Sequence, residues 1–506
     1  MTDTVSPTAP PPLKRRTKFF YGLGSMAYGI KDVAFRVFLL WYYNYVIGAP
    51  AALVSAAIMV ALVIDAISDP VVGQISDSLR TKWGRRHPLM YLSAIPASAS
   101  FLFLWFPPPG LEGAGLFIYL VLLASAVRTF ITLYEIPSSA LAPELATDYD
   151  ERTAIASYRY FFGYIGGIGL YFIALRYLLP PTEAHPHGVT NPDGYMAFGI
   201  IGAIIMISSV LVSTVGTHHR IKYLRQLPAP EARNPLQTLM LMGKTFSHRG
   251  FLAILSFGVL KYTAIGMSSA LTLYFGSLFW ELDSRQLSIL ALDAALAATL
   301  ALMVAPRVSK FLGKRNAAFV LAVTAILFAI APYVLRLLGS FIPNGSPWLL
   351  PALFVLLSIY AMCGISSAIL VHAMIGDVID DSSLRTGRRA EGLFYAANSF
   401  MQKCSSGLGV FVAGLLLTAV GMPEGARTAG VDPQIVTNLV HAYIPAIIVM
   451  YLGGACFLYF YRIDRKSHEA NLASIRARES GAIIGATAQE SVDAPARPGE
   501  QPGAPS

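Results

Sequence analysis

Residues 61–88 read ALVIDAISDPVVGQISDSLRTKWGRRHP, and this stretch decides the fold. Its first part is apolar except for Asp65, Ser68 and Asp69, and its second part is a short basic turn. The apolar run begins near residue 52. At ~1.5 Å per residue it is long enough to cross a ~30 Å hydrocarbon core. Backbone groups in lipid must be bonded within their own segment, so the run is a helix. Ionisable groups inside such a helix are costly, and each one needs a reason. Asp65, Ser68 and Asp69 stand at i, i+3 and i+4, which puts them on one face. Two carboxylates and a hydroxyl there suit a small cation or a coupled pair holding one proton. They could equally form an ion pair with basic residues of a neighbouring helix.

The same alternation of apolar block and polar turn continues through most of the 506-residue chain, to about residue 462. Spans are expected near 19–47, 52–76, 88–107, 114–142, 156–178, 196–217, 250–278, 286–309, 316–338, 348–373, 391–420 and 436–462. Charged residues make up only 13% of the chain and apolar ones 55%, with a mean hydropathy of +0.56. That is too little charge to cover the surfaces of soluble domains totalling this length. The expected class is an all-α polytopic membrane protein of about twelve helices.

The net charge of +9 does not point to nucleic acid, because the basic residues lie in alternate short loops. Lys14, Arg15 and Arg16, then Arg80 to Arg86, Arg152, Arg220 and Lys222, Arg307 to Arg315, Arg385 to Arg389 and Arg462 to Lys466 all fall on one side. The opposite loops are nearly free of them. This is the positive-inside pattern, and it predicts cytoplasmic termini. Residues 218–249 are Pro-containing and basic, and divide the chain into six-helix bundles at 18–217 and 250–465. The tails, 1–17 and 466–506, are expected to be disordered. No apolar core followed by a small-residue cleavage site appears, so a removable signal peptide is not expected. The three cysteines lie in apolar segments without metal or disulfide spacing. A repeat supports the division: Gly84-Arg85-Arg86 after the second span is matched by Gly313-Lys314-Arg315 after the eighth.

Other spans carry charge too. Arg128, Thr132 and Glu135 share a face of the fourth, where Pro137 should loosen the helix. The first has Lys31, Asp32 and Arg36, the last two spaced to neutralise each other. Lys403 lies in the eleventh beside Asn398 and Gln402 and needs a carboxylate partner, which the acids of the first half could supply. Lys261 and Asp293 could pair across the seventh and eighth. Arg159 stands among the aromatics of the fifth, where a guanidinium could hold a hydroxylated or anionic ligand.

Together, Asp65-Ala-Ile-Ser-Asp69-Pro70, Arg80-Thr-Lys-Trp-Gly84-Arg85-Arg86, Glu135-Ile-Pro137 and Gly376-Asp377-Val-Ile-Asp380-Asp381…Arg385-Thr-Gly387-Arg388-Arg389-Ala-Glu391-Gly392 resemble the glycoside–pentoside–hexuronide:cation symporters. The last of these motifs is the most specific, and the likeness runs across roughly 18–465. The resemblance implies the major facilitator fold and alternating access, with sodium or proton coupling. By position it implies that Asp65, Asp69 and Thr132 form the cation (metal) site. Ser68 stands where the best-known member has asparagine. Lys403 matches a lysine near the cation and sugar sites, Asp32 a sugar-binding acid, and Glu135 the place of another aspartate. Two sugar-stacking tryptophans are replaced by Ser139 and Ala368, and an aromatic by Ile131. The fifth-span arginine is offset by one, with Tyr160 at the matching position and Arg159 beside it.

The expectation is therefore a multi-pass carrier of the bacterial inner membrane, a monomer without cofactor, importing a small molecule with Na+ or H+. Asp65, Ser68, Asp69 and Thr132 would bind the cation. Asp32, Glu135, Arg159, Asn398 and Lys403 would bind substrate, a glycoside or related sugar. Asp77, Arg80, Arg85, Asp377, Asp380 and Arg389 would latch the cytoplasmic gate. Alternatives are a carrier of a non-sugar amphiphile such as a lysolipid, and a membrane receptor without transport. An enzyme is not expected, since the histidines lie mainly in loops and no Ser/His/Asp set, metal cluster or phosphate loop is present. Membrane lipid is the one other partner expected.

Overall fold

A computed structural model describes residues 12–146, 149–224, 248–386, 391–425 and 430–461. Among them every regular element is a helix. Ten helices are long and apolar enough to cross a membrane. One of these, Ser284–Leu337, holds two spans, because Gly313 leaves helical geometry at φ 76°, ψ 160°. Only a residue without Cβ takes that conformation cheaply, and Gly84 in the matching turn takes φ 72°. The first span, 15–47, is helical but interrupted by the π-helical turns Ala34–Phe38 and Tyr42–Ile47. With these, the twelve expected spans are present.

Two local expectations are corrected. The fourth span, Gly113–Leu145, stays helical through Pro137 and Pro143, so Pro137 does not open it. A proline inside a transmembrane helix is tolerated where neighbouring helices and hydroxyls re-satisfy the freed groups. The tenth span, Leu349–Thr386, runs about one dozen residues beyond its apolar part, so the stretch from Gly376 to Leu384 is helix rather than loop. Nothing in that stretch after Gly376 is a helix breaker. The linker 225–247, most of the tails and Arg389 lie outside the described residues.

The two sets of six spans meet in a seam at the end of the molecule without basic loops. Trp41 and Tyr274 are fully buried there, with ring centroids 4.8 Å apart. Tyr274 Oη donates to Asn44 Oδ1 at 2.7 Å, and the Gly425 amide to the Asn44 carbonyl at 3.2 Å. The second and eleventh spans then run side by side toward the centre. Gly414 faces Ser55 and Gly407 faces Leu62, close enough that a Cβ at either would touch. Small residues at such crossings let helices approach in lipid.

Candidate functional site

At the inner end of that contact lies Asp65, its side chain fully buried in the second span. A charge there survives only if its oxygens are satisfied. Arg128 Nη2, from the fourth span, donates to Asp65 Oδ2 at 2.7 Å. One turn on, Thr132 Oγ1 lies 2.9 Å from Asp65 Oδ1 and 3.2 Å from Asp69 Oδ1. A hydroxyl has one proton and serves one of those carboxylates at a time. From the eleventh span, Lys403 Nζ stands 2.5 Å from Asp69 Oδ2 and 3.1 Å from Asp65 Oδ2. The i, i+4 acids thus face one hydroxyl and two cations, and the lysine links the two sets of spans.

Ser68 shares that helix but not the cluster: its hydroxyl donates to the Asp65 carbonyl at 2.9 Å. Among the described residues no group of three or more His, Cys, Asp or Glu could hold a metal ion. The hard-oxygen set is the two aspartates and Thr132.

A second group borders the first. Lys31 Nζ lies 3.3 Å from Asp32 Oδ1 and 3.7 Å from Glu135 Oε2. Asp32 therefore pairs with Lys31, and no ion pair joins it to Arg36. Glu135 and Arg159 both line a cavity of about 520 Å³ with Tyr21, Tyr28, Ser139 and Arg152. Arg159 Nη1 donates to Tyr21 Oη at 3.2 Å, and its guanidinium lies 5.5 Å from the Tyr28 ring centroid. Ser139 donates to the Glu135 carbonyl at 2.7 Å. Asn398 is buried in the eleventh span and Lys403 belongs to the aspartate cluster, so neither lines this cavity. Of the fifth-span aromatics, Tyr160 lines it but is 70% exposed; the aromatic face set against Arg159 comes from the first span instead.

Lys261 and Asp293 are not paired. Lys261, buried in the seventh span, donates to the Gly364 carbonyl at 3.0 Å, while Asp293 starts a helix in the eighth.

Among the described gate residues, several pair within their own set of spans. Arg86 Nη1 is 2.5 Å from Asp77 Oδ1, and Arg85 and Arg86 reach Glu144 Oε1 at 2.8 and 3.0 Å. Arg80 is exposed on the same turn. In the other set Lys314 Nζ lies 2.7 Å from Asp377 Oδ1, and Tyr461 Oη donates to Asp377 Oδ2 at 3.2 Å. Asp381 holds His248 at 2.8 Å, and the Asp380 carbonyl accepts from Ser383. A basic residue at the start of the third or ninth span thus meets an acid at the end of the fourth or tenth. That correspondence is the repeat in three dimensions.

The sequence profile of the family described as MFS/sugar transport protein matches residues 20–465. The chain belongs to the glycoside–pentoside–hexuronide:cation symporter family. It is 28% identical to an uncharacterized symporter of Synechocystis, over 92% of this chain and 97% of the relative. It is 25% identical to the isoprimeverose transporter of Lactiplantibacillus pentosus, over 88% of each. It is also 25% identical to a putative glycoside/cation symporter of Escherichia coli, over 93% and 97%. Among solved structures, a bacterial homologue of the human lysosomal transporter Spinster, inward-facing and unoccupied, superposes with a TM-score of 0.60 at 13% identity, covering 91% of this chain and 99% of that one. The nucleoside transporter NupG superposes at 0.59 and 13%, covering 89% and 100%. These likenesses confirm the major facilitator fold. The chain is a multi-pass membrane transporter.

Arg128, Lys31, Tyr21, Tyr28 and Glu144 were not singled out as site residues from sequence. The signal for Arg128 was present, since it shares a helical face with Thr132. The tyrosines gave none, because an aromatic in an apolar span reads as packing.

Proposed function

We propose that this protein is a cation-coupled symporter of the bacterial inner membrane that imports a glycoside or related sugar by alternating access. The observation that carries the reading is the double hold of Lys403 on Asp65 and Asp69 across the two sets of spans. A cation on Asp65, Asp69 and Thr132 competes with that ammonium for the same oxygens. Its binding therefore changes the bond between the halves, and a ligand drives a conformational change only through such differential affinity. The Glu135–Arg159 cavity offers an acid, a guanidinium and an aromatic ring, the mixture that a hydroxylated ring ligand needs. Asp32, tied to Glu135 through Lys31, would extend it. Relatives named as an isoprimeverose transporter and as a putative glycoside/cation symporter favour sugar over a lysolipid. Among the described residues, the basic turns carry matching ion pairs, Arg86–Asp77 in one half and Lys314–Asp377 in the other, where a cytoplasmic gate would form.

The test is uptake of labelled glycosides into proteoliposomes with an imposed sodium or proton gradient. Accumulation above equilibrium is expected with one gradient and its loss when that gradient is collapsed. Equilibration without accumulation under either gradient rejects coupling, and uptake of lysolipid but no glycoside rejects the sugar.

A further inference from the structure

We propose that a crevice between the first and sixth spans, on the side of the basic loops, holds an anionic phospholipid of the surrounding bilayer. The crevice encloses about 560 Å³ and has two chemically distinct parts. Lys14, Arg16 and His219 form its mouth, and Phe20, Val212 and Val215 line its floor. Val212 and Val215 are 39% and 60% exposed although they belong to the membrane-spanning helix Pro192–His218. Their free faces therefore look out of the bundle, where the neighbour is hydrocarbon. Arg16 lies 5.1 Å from the Phe20 ring centroid, which fixes a cation at the junction of mouth and floor. Among the described residues no carboxylate pairs with Lys14 or Arg16, whereas neighbouring Lys18 is 3.9 Å from Glu151. Two exposed cations with no paired acid among the described residues, directly above an apolar trough, match a phosphate-bearing headgroup above an acyl chain. Basic recesses between helices on this side of a membrane select anionic headgroups. A phosphatidylcholine headgroup fits less well, because it brings its own ammonium to the lysine and arginine. The crevice is separate from the cavity of Glu135 and Arg159, and the inference does not depend on what the carrier transports.

The full chain, purified in detergent, would be incubated with palmitoyl-oleoyl phosphatidylglycerol, with the matching phosphatidylcholine, or with inorganic phosphate, and retained molecules counted by native mass spectrometry. Phosphatidylglycerol should be retained roughly thirtyfold over phosphatidylcholine, in line with two juxtamembrane cations. Lys14→Gln with Arg16→Gln should remove the preference, and Arg307→Gln, a basic residue of the other half, should leave it. Val215→Trp, which fills the floor at an exposed position, should abolish retention with both cations intact. It decides the matter even if the double variant does not fold. Three results would overturn the inference: a preference that survives the double variant or Val215→Trp, an equal loss in Arg307→Gln, and displacement of the lipid by equimolar phosphate.

Discussion

Lys403 and Lys261 are both lysines carried inside spans of the second half, and they are held in opposite ways. Lys403 meets two carboxylates of the first half at 2.5 and 3.1 Å. Lys261 is almost completely buried and donates to one backbone carbonyl, with the Phe257 ring 5.4 Å away. The first arrangement can be exchanged, because a small cation can take the place of the ammonium on the same oxygens. The second offers nothing that a solute ion could replace. A membrane-buried charge is thus not a transport residue by burial alone; what distinguishes it is a partner on the other moving part.

The largest effect should come from removing what Lys403 holds. Asp65→Asn leaves Arg128 and Lys403 facing one carboxylate in place of two, and breaking one member of a buried ion network costs about 3–5 kcal/mol. Gradient-driven accumulation should vanish while some substrate exchange survives, and accumulation that persists in proteoliposomes ends the proposed cation role. Next, Lys403→Ala should slow transport more than Lys403→Arg and should raise cation affinity by removing a competitor, as read by cation titration. Double-mutant cycles of Lys403 with Asp65 and with Asp69 should show coupling above ~0.5 kcal/mol, and additivity in both would reduce Lys403 to a structural residue. Lys261→Met sharpens the contrast: replacing a buried ammonium that has only a neutral partner should leave thermal stability unchanged or higher, with transport retained. A loss of coupling in that variant would erase the distinction drawn between the two lysines. The smallest effect is expected for Ser68→Ala, whose hydroxyl is spent on its own helix; cation affinity should change by less than about threefold, the scale of a net hydrogen bond or below.

Much of this arrangement is legible in the sequence. Apolar blocks long enough to span lipid are separated by basic turns, so the spans and the repeat at Gly84 and Gly313 follow from composition and spacing. Asp65, Asp69 and Lys403 stand out because charge in lipid is rare, and even the pairing of the lysine with acids of the first half could be anticipated. Distances between helices could not be anticipated. Helical periodicity says which residues share a face but not which face a neighbour presents, so Lys261 with Asp293 and Asp32 with Arg36 are pairs that spacing allows and packing does not make. The extension of the tenth span to Thr386 was hidden for a related reason: hydropathy marks where a helix leaves lipid, not where it ends. Tyr28 was hidden because packing and binding use the same aromatic residues.

Beside the Trp41, Tyr274 and Asn44 side chains, the seam at the end without basic loops has one point where backbone meets backbone. Gly48 and Gly425 face each other so closely that a Cβ on either would lie 3.2 Å from the other's Cα, and both hold left-handed φ, at 91° and 65°. A contact between two bare main chains has no flexible side chain to act as a spring, so it cannot yield by degrees. Packed contacts of this kind are expected to switch between discrete arrangements instead of bending. A methyl group added at residue 48 would be strained by the left-handed backbone there and would push the two main chains apart by a few tenths of an ångström, so a change smaller than a water molecule should bias how this end closes.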